Sequence, residues 1–302
     1  MSPRIAVFTK NRSNPAYEAA RYGADRTARR LGATTTHCVP ERPDNVTEQI
    51  ALIESAIAAR PDAVVFTPVH ETDVNDAALG FEAARIPVFS FVTRATAGQP
   101  LCFVGSDDRA LARDIARHLF SKIGGRGDIL VLEGTPASAT SHARLKGFQE
   151  ALAEYPDIVV RLSLCGEYQR DVARDVYRAA ADKLRGIDAI LCANDVMALG
   201  VLDARGPAKG AQPPVVGINA IPEAIKAIAA GTMLATVNFD AMTMSSIATE
   251  AAVRHLRGES VPREIMLPVQ VIDRTNYAPL DLPFPERIGP TWEEVMASAS
   301  IR

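Results

Sequence analysis

Ile5-Ala6-Val7-Phe8 and, 124 residues further on, Ile129-Leu130-Val131-Leu132 open two runs that repeat one plan. Each is a short apolar run followed by a stretch of helical period, and the later runs keep step. Asp62-Ala63-Val64-Val65-Phe66 is echoed by Asp188-Ala189-Ile190-Leu191-Cys192 at an offset of 126. Pro87-Val88-Phe89 is echoed by Pro214-Val215-Val216 at an offset of 127. Short apolar runs alternating with helical stretches are the pattern of a parallel sheet wrapped by helices. The expected fold is α/β, with two doubly wound parallel-sheet (Rossmann-like) halves. Such halves leave a cleft where ligands meet the carboxyl ends of strands.

The 302 residues are enough for two domains with separate cores. An apolar share of 47% and a charged share of 23% are ordinary for a soluble globular protein. A net charge of −3 gives no electrostatic footprint for nucleic acid. No stretch approaches the roughly 20 consecutive apolar residues of a membrane span. Cys38, Cys102, Cys165 and Cys192 show neither a CxxC pair nor a metal-ligand spacing, so buried free thiols are expected. Met1-Ser2-Pro3-Arg4 runs straight into the first strand without an export segment. That points either to the cytoplasm or to a mature or trimmed form.

Asn14-Pro15 opens the first helix, with Asn as cap and Pro at a position that sacrifices no hydrogen bond. Helices are expected over Ala16–Leu31, Val46–Ala59, Val74–Ala84 and Arg109–Ile123, with strands at Val88–Val92 and Cys102–Gly105. In the second half, strands at Ile129–Leu132, Val159–Leu164, Ala189–Ala193, Val215–Ile218 and Leu234–Val237 alternate with helices. Those helices span Ser141–Glu154, Val172–Leu184, Val196–Ala204, Pro222–Ala230 and Thr243–Arg257, and Glu264–Ile272 reads as one last strand. The Pro-rich tail beyond Asn276 is expected on the surface, with one helical piece at Trp292–Ala297. Gly124-Gly125-Arg126-Gly127-Asp128 precedes a strand instead of linking a strand to a helix, so it reads as a turn and not a phosphate loop.

The carboxyl ends of the strands carry the candidate chemistry. The first half offers Lys10, Asn11, Asn14 and Tyr17, then Thr67, Val69 and His70, then Thr93 and Arg94. The second offers Thr135, Ser138, His142 and Arg144, then Tyr168, Asn194-Asp195 and Asn219, and finally Asn238 and Asp240. Amides, hydroxyls and two aromatics give directional bonds to hydroxyls and a face for stacking. They suit a small polyhydroxylated ligand, although Asn14 and Asp195 serve equally well as cap or turn residues. A glycine-rich phosphate turn after the first strand, a GxSxG elbow and an i, i+4 histidine pair are all missing from the sequence. Neither an enzyme, a cofactor nor a metal is expected on that basis.

Three segments carry a recognisable pattern: Leu132-Glu133-Gly134 through Arg144-Leu145-Lys146-Gly147-Phe148, Asn194-Asp195-Val196-Met197-Ala198-Leu199-Gly200, and Val215-Val216-Gly217-Ile218-Asn219 with Leu234-Ala235-Thr236-Val237. Over roughly residues 4–273 the chain resembles the type I periplasmic binding proteins of the ribose-binding type. The resemblance implies two lobes that close on a sugar, residues 1–106 plus 240–268 and residues 107–239 plus 269–302. Three hinge crossings are implied near Ser106-Asp107, Asn238–Asp240 and Pro268–Val271. It also implies a periplasmic monomer whose partners are a sugar-like ligand and the membrane permease of an ABC importer.

By the same resemblance Asn194 matches the ligand amide, Tyr168 the second-lobe aromatic, Tyr17 an aromatic of the first helix and Asn14 the polar residue before its proline. The departures bear on specificity. Val92-Thr93 stands where an Asp-Arg pair is usual, with Arg94 one place later. His142 replaces an Arg, Asn219 an Asp, Ala16 an aromatic, and Phe239, flanked by Asn238 and Asp240, a Gln. Two negative charges are thereby lost while Lys10 and His142 remain, which favours a sugar acid over a modified sugar or sugar alcohol. A cytoplasmic sugar sensor of the same fold is the alternative reading, and a small-molecule enzyme a remote one.

Overall fold

The computed structural model describes residues 2–136, 138–206 and 212–301. The chain opens with β1 (Arg4–Phe8), α1 (Pro15–Arg30), β2 (Thr34–Cys38), α2 (Val46–Ala59), β3 (Ala63–Phe66), α3 (Asn75–Ala83), β4 (Val88–Phe91) and β5 (Cys102–Gly105). There follow α4 (Asp108–Lys122), β6 (Arg126–Glu133), α5 (Ala139–Glu154), β7 (Asp157–Cys165), α6 (Arg170–Ala179), β8 (Ala189–Cys192) and α7 (Asp195–Arg205). The last elements are β9 (Val215–Val216), α8 (Pro222–Ala230), β10 (Ala235–Val237), α9 (Ala241–Leu256), β11 (Glu264–Met266), β12 (Val271–Asp273), α10 (Trp292–Ser298) and β13 (Ser300–Ile301).

Two units result. The first comprises residues 1–106, 240–268 and 284–302, the second residues 107–239 and 269–283. The first sheet has the order β13-β11-β5-β4-β3-β1-β2, the second β12-β10-β9-β8-β6-β7. Inner strands run parallel and are buried on both faces, as a sheet covered by helices requires. In the first unit Phe8, Phe66 and Phe81 meet edge to face with centroids 5.3–5.9 Å apart. Close helix contact depends on glycine in each unit. A Cβ on Gly23 of α1 would lie 2.4 Å from the Met242 carbonyl of α9, and one on Gly147 of α5 2.2 Å from the Arg109 carbonyl of α4.

Several expectations need correction. Residues 264–272 do not form one strand: β11 pairs with β5 in the first sheet and β12 with β10 in the second. Pro268 has no N–H to continue a ladder, so the strand breaks there. The sheets are mixed at their edges, because β12 and β13 run antiparallel to their neighbours. The tail is not merely laid on the surface; Ser300–Ile301 pairs with β11 and covers an otherwise open edge. Residues 284–302 therefore belong with the first unit and not the second, and the chain passes between units at 283/284 as well as at 106/107, 239/240 and 268/269. The outer bounds of the two expected segments, Met1 and Arg302, lie outside the described residues. The helix expected over Val172–Leu184 stops at Ala179 and gives way to a 3-10 turn, Ala181–Leu184. Cys38, Cys102 and Cys192 are buried free thiols, whereas Cys165 is exposed at the end of the edge strand β7.

Candidate functional site

In the first unit, polar side chains are buried where β1 ends: Thr9, Lys10 and Asn11 are at most 3% exposed. Asn11 joins the local chain together. Its Oδ1 accepts the Asn14 N–H at 3.0 Å, and its Nδ2 donates to Asp44 Oδ2 at 3.1 Å. Arg21 donates to the Asn11 carbonyl and to Thr9 Oγ1, at 3.1 and 2.9 Å. Asn14 caps α1, its Oδ1 accepting the Ala16 N–H at 3.0 Å with Pro15 at the first helical position. Asp44 sits in the left-handed region at φ 55° and donates its N–H to the Lys10 carbonyl at 3.1 Å. Burial pushes its carboxyl above the usual range, while the Lys10 ammonium and the Asn11 amide pull it back.

The other strand ends of this unit are equally constrained. The Gln49 amide donates to the Thr67 carbonyl at 3.1 Å and accepts the Val69 N–H at 2.8 Å, clamping the loop after β3. After β4, Val92 takes φ 62°, a conformation that costs a β-branched residue on the order of 1–3 kcal/mol. Its N–H is held by the Val104 carbonyl at 3.0 Å, and the kink turns the chain at the buried Thr93.

In the second unit, Asn194 is fully buried and caps α7: its Oδ1 accepts the Met197 N–H at 2.8 Å. Its Nδ2 approaches the Tyr168 carbonyl at 3.5 Å. Asp195 has no exposed surface; Oδ1 accepts from Thr236 Oγ1 at 2.6 Å and Oδ2 from the Ile221 N–H at 3.1 Å. Burial pushes its carboxyl up to about 7, against the pull of Thr236, Ile221 and Arg144. These bonds tie the start of α7 to β10 and to the loop after β9, where Asn219 and Ala220 take φ 130° and 51°. The Asn219 Oδ1 is buried without a hydrogen-bond partner, an acceptor left for something else. Tyr168 lies so close over Gly134 that a Cβ there would sit 2.1 Å from the ring Cζ. Arg144, 2% exposed, donates to Asp108 Oδ1 at 2.8 Å and to the Ala193 carbonyl at 2.6 Å. Its guanidinium lies 5.8 Å from the Tyr168 centroid and 5.1 Å from that of Phe239.

Of the residues expected from the sequence, Lys10, Asn14, Tyr17 and Thr93 are buried at the carboxyl ends of the first sheet. Arg94 is not among them. Its guanidinium pairs with Glu264 and stacks 4.2 Å from the Phe103 centroid. Glu264 opens β11 at its amino end, so the side chain reaches back, away from the carboxyl ends. Asp240 caps α9, accepting from the Thr243 N–H and hydroxyl at 2.9 and 2.6 Å. In the second unit Tyr168, Asn194 and Asn219 lie at the strand ends, and Asn238 follows β10 with its N–H on the Gln270 carbonyl at 2.9 Å. His142 is exposed on the first turns of α5; the buried cation of that helix is Arg144. Asp44 and Gln49 carry no role legible in the sequence, since they lie more than thirty residues from Lys10 and about twenty from Thr67, respectively. Nothing in local spacing signals either contact.

The buried chemistry is of amides, hydroxyls and self-paired ions. Asp195 is enclosed by structural donors and cannot reach a substrate as a base. Among the described residues no group of three His, Cys, Asp or Glu is placed to hold a metal ion, and no helix is long and apolar enough to cross a membrane.

A family model described as a periplasmic binding protein domain matches residues 5–260. The chain is 25% identical over 269 residues to the ribose import binding protein of Salmonella typhimurium, covering 89% of this chain and 90% of that one. A periplasmic solute binding protein of an ABC transporter from Actinobacillus succinogenes, with bound D-allose, superposes with a TM-score of 0.85 at 28% identity, over 92% of this chain and 99% of the other. The Caulobacter myo-inositol binding protein, bound to myo-inositol, superposes with a TM-score of 0.83 at 26% identity, covering 91% and 94%.

Proposed function

The chain belongs to the periplasmic binding protein family, and from that premise we propose that it is a receptor for a sugar or sugar-like solute that feeds an ABC importer. It is a binding protein and not an enzyme. The observation that carries this reading is the match over residues 5–260 to a family whose similar members are named for ribose or myo-inositol or hold bound D-allose. The polar groups at the strand ends support it, since amides and hydroxyls held at fixed angles suit a ligand whose surface is mostly hydroxyl.

In this reading the ligand-contacting residues are Lys10, Asn14, Tyr17 and Thr93 in the first unit and Tyr168, Asn194, Asn219 and Asn238 in the second. Asp240 contributes through the helix cap it forms, and Arg94, paired with Glu264, takes no part. The receptor works as a monomer in the periplasm, and its partner is the membrane permease. A thermal-shift screen with D-ribose, D-allose, xylitol, myo-inositol and sugar acids tests the reading. A ligand at a hundredfold over its Kd stabilises by about 2.7 kcal/mol. Stabilisation by at least one sugar or polyol, with the compound recovered unchanged, is the expected result. Conversion of the compound, or no response to any of them, would contradict it.

A further inference from the structure

Taken as a bare sequence, Lys10 is an uncompensated cation that favours an acidic sugar. The fold places a carboxylate beside it. Asp44 stands 34 residues away in the loop between β2 and α2, yet its N–H donates to the Lys10 carbonyl at 3.1 Å. Its Oδ2 is held by the Asn11 amide at 3.1 Å, and its backbone is turned into the left-handed region at φ 55°. The Asn11 amide thus holds the carboxylate, and the N–H bond and the left-handed turn hold its backbone, at the end of β1, where Lys10 itself is only 3% exposed. The electrostatic coupling between the two side chains runs in the attractive sense.

Other cations of the loops that follow the strands are held by partners inside their own units. Arg144 is paired with Asp108, and Arg94 with Glu264. Arg21 is spent on Thr9 and Asn11 and has Glu18 and Asp25 within electrostatic reach. Lys10 alone among them combines near-complete burial with a position on the residue run that ends β1, so its counter-charge decides what charge a ligand may carry.

We infer that Asp44 is a specificity-determining residue. It cancels the charge of Lys10, leaving the ammonium as a hydrogen-bond donor to hydroxyls without a net positive field for a carboxylated sugar. The inference rests on the sugar-receptor reading above, and none of the similar proteins' names bears on it. An uncompensated buried charge would change the relative affinity of neutral and anionic ligands by about tenfold or more.

The test is calorimetric titration at low salt with pairs in which a carboxylate replaces a terminal CH2OH and the ring or open chain is kept: D-allose and D-alluronate, D-galactose and D-galacturonate, xylitol and D-xylonate. Wild type is expected to bind the neutral member of a pair about tenfold or more tightly than the acid. Asp44→Asn keeps an acceptor for the Asn11 amide and tolerates the left-handed backbone, so it should fold. It is expected to move the acid-to-neutral affinity ratio toward the acid by about tenfold or more. Lys10→Gln with Asp44 intact should move the ratio the opposite way, and the double variant should return it to near the wild-type value. A purely structural role for Asp44 would weaken both members of a pair equally. The inference is overturned if wild type prefers the acids. An unchanged ratio in Asp44→Asn overturns it too or, should that variant not fold, an unchanged ratio in Lys10→Gln. If wild type binds none of the six probes and no other sugar, the receptor reading itself has failed, an outcome distinct from binding with an unmoved ratio.

Discussion

The two units repeat one plan, yet they handle buried charge in opposite ways. The first sets the Asp44 carboxylate, held by the Asn11 amide, within electrostatic reach of Lys10 at the end of β1. The second encloses Asp195 completely and satisfies it with a hydroxyl and a backbone N–H. In the proposed reading, the first arrangement leaves charged side chains whose sum a ligand senses. The other turns a carboxylate into a structural knot that holds the strained backbone of Asn219 and Ala220. Selectivity is therefore expected to sit in the first unit, and rigidity of the binding groups in the second.

Breaking the knot should have the largest effect. Asp195→Ala leaves the Ile221 N–H and the Thr236 hydroxyl buried without partners and is expected to cost about 3 kcal/mol in urea unfolding. The pH dependence follows from the same residue. Its carboxyl is raised in the folded protein to about 7, so the folded state holds a proton that the unfolded state releases near its ordinary value. This contribution to stability is full below about pH 4 and is lost as pH rises toward 7. Asp195→Asn should flatten that falling limb, which a series of unfolding curves from pH 4 to 8 would reveal.

The next effect concerns geometry. Gly134→Ala drives a methyl group into the Tyr168 ring and is expected to cost about 1–3 kcal/mol, with loss of affinity for any sugar bound. Asn194→Ala is a smaller perturbation to stability, about 1 kcal/mol for a lost helix cap, but it removes a candidate ligand amide. A ligand titration beside an unfolding curve separates the two losses. Arg94→Ala should change least: its exposed pairing with Glu264 is worth within about 1 kcal/mol, and affinity should be unchanged. A marked loss of affinity there would return Arg94 to the site.

The duplicated strands were legible because inner strands of a parallel sheet are apolar on both faces, as in Ala63–Phe66 and Ala189–Cys192. Helix α2 and strand β5 have the bounds that period and flanking residues predict. Edges were not legible. Thr34–Cys38 reads Thr-Thr-Thr-His-Cys, half exposed at the rim of its sheet, and the pairing of Ser300–Ile301 with β11 joins segments far apart in sequence. The site divides similarly. Asn14 and Asn194 announce themselves by preceding helices, and their cap geometry is what such positions favour. Asp44 and Gln49 act across turns of the chain that no spacing encodes, and Arg94 turns to Glu264, a partner 170 residues away in sequence.

The most direct test titrates the best-binding neutral sugar or polyol into wild type and one variant from each unit. Tyr17→Leu alters the first unit, and Asn219→Gly removes only an amide at φ 130°, a backbone conformation glycine accepts. Both variants are expected to lose about tenfold or more in affinity while wild type binds one molecule per chain. Wild-type affinity in both variants would contradict the assignment of these strand-end residues to the ligand.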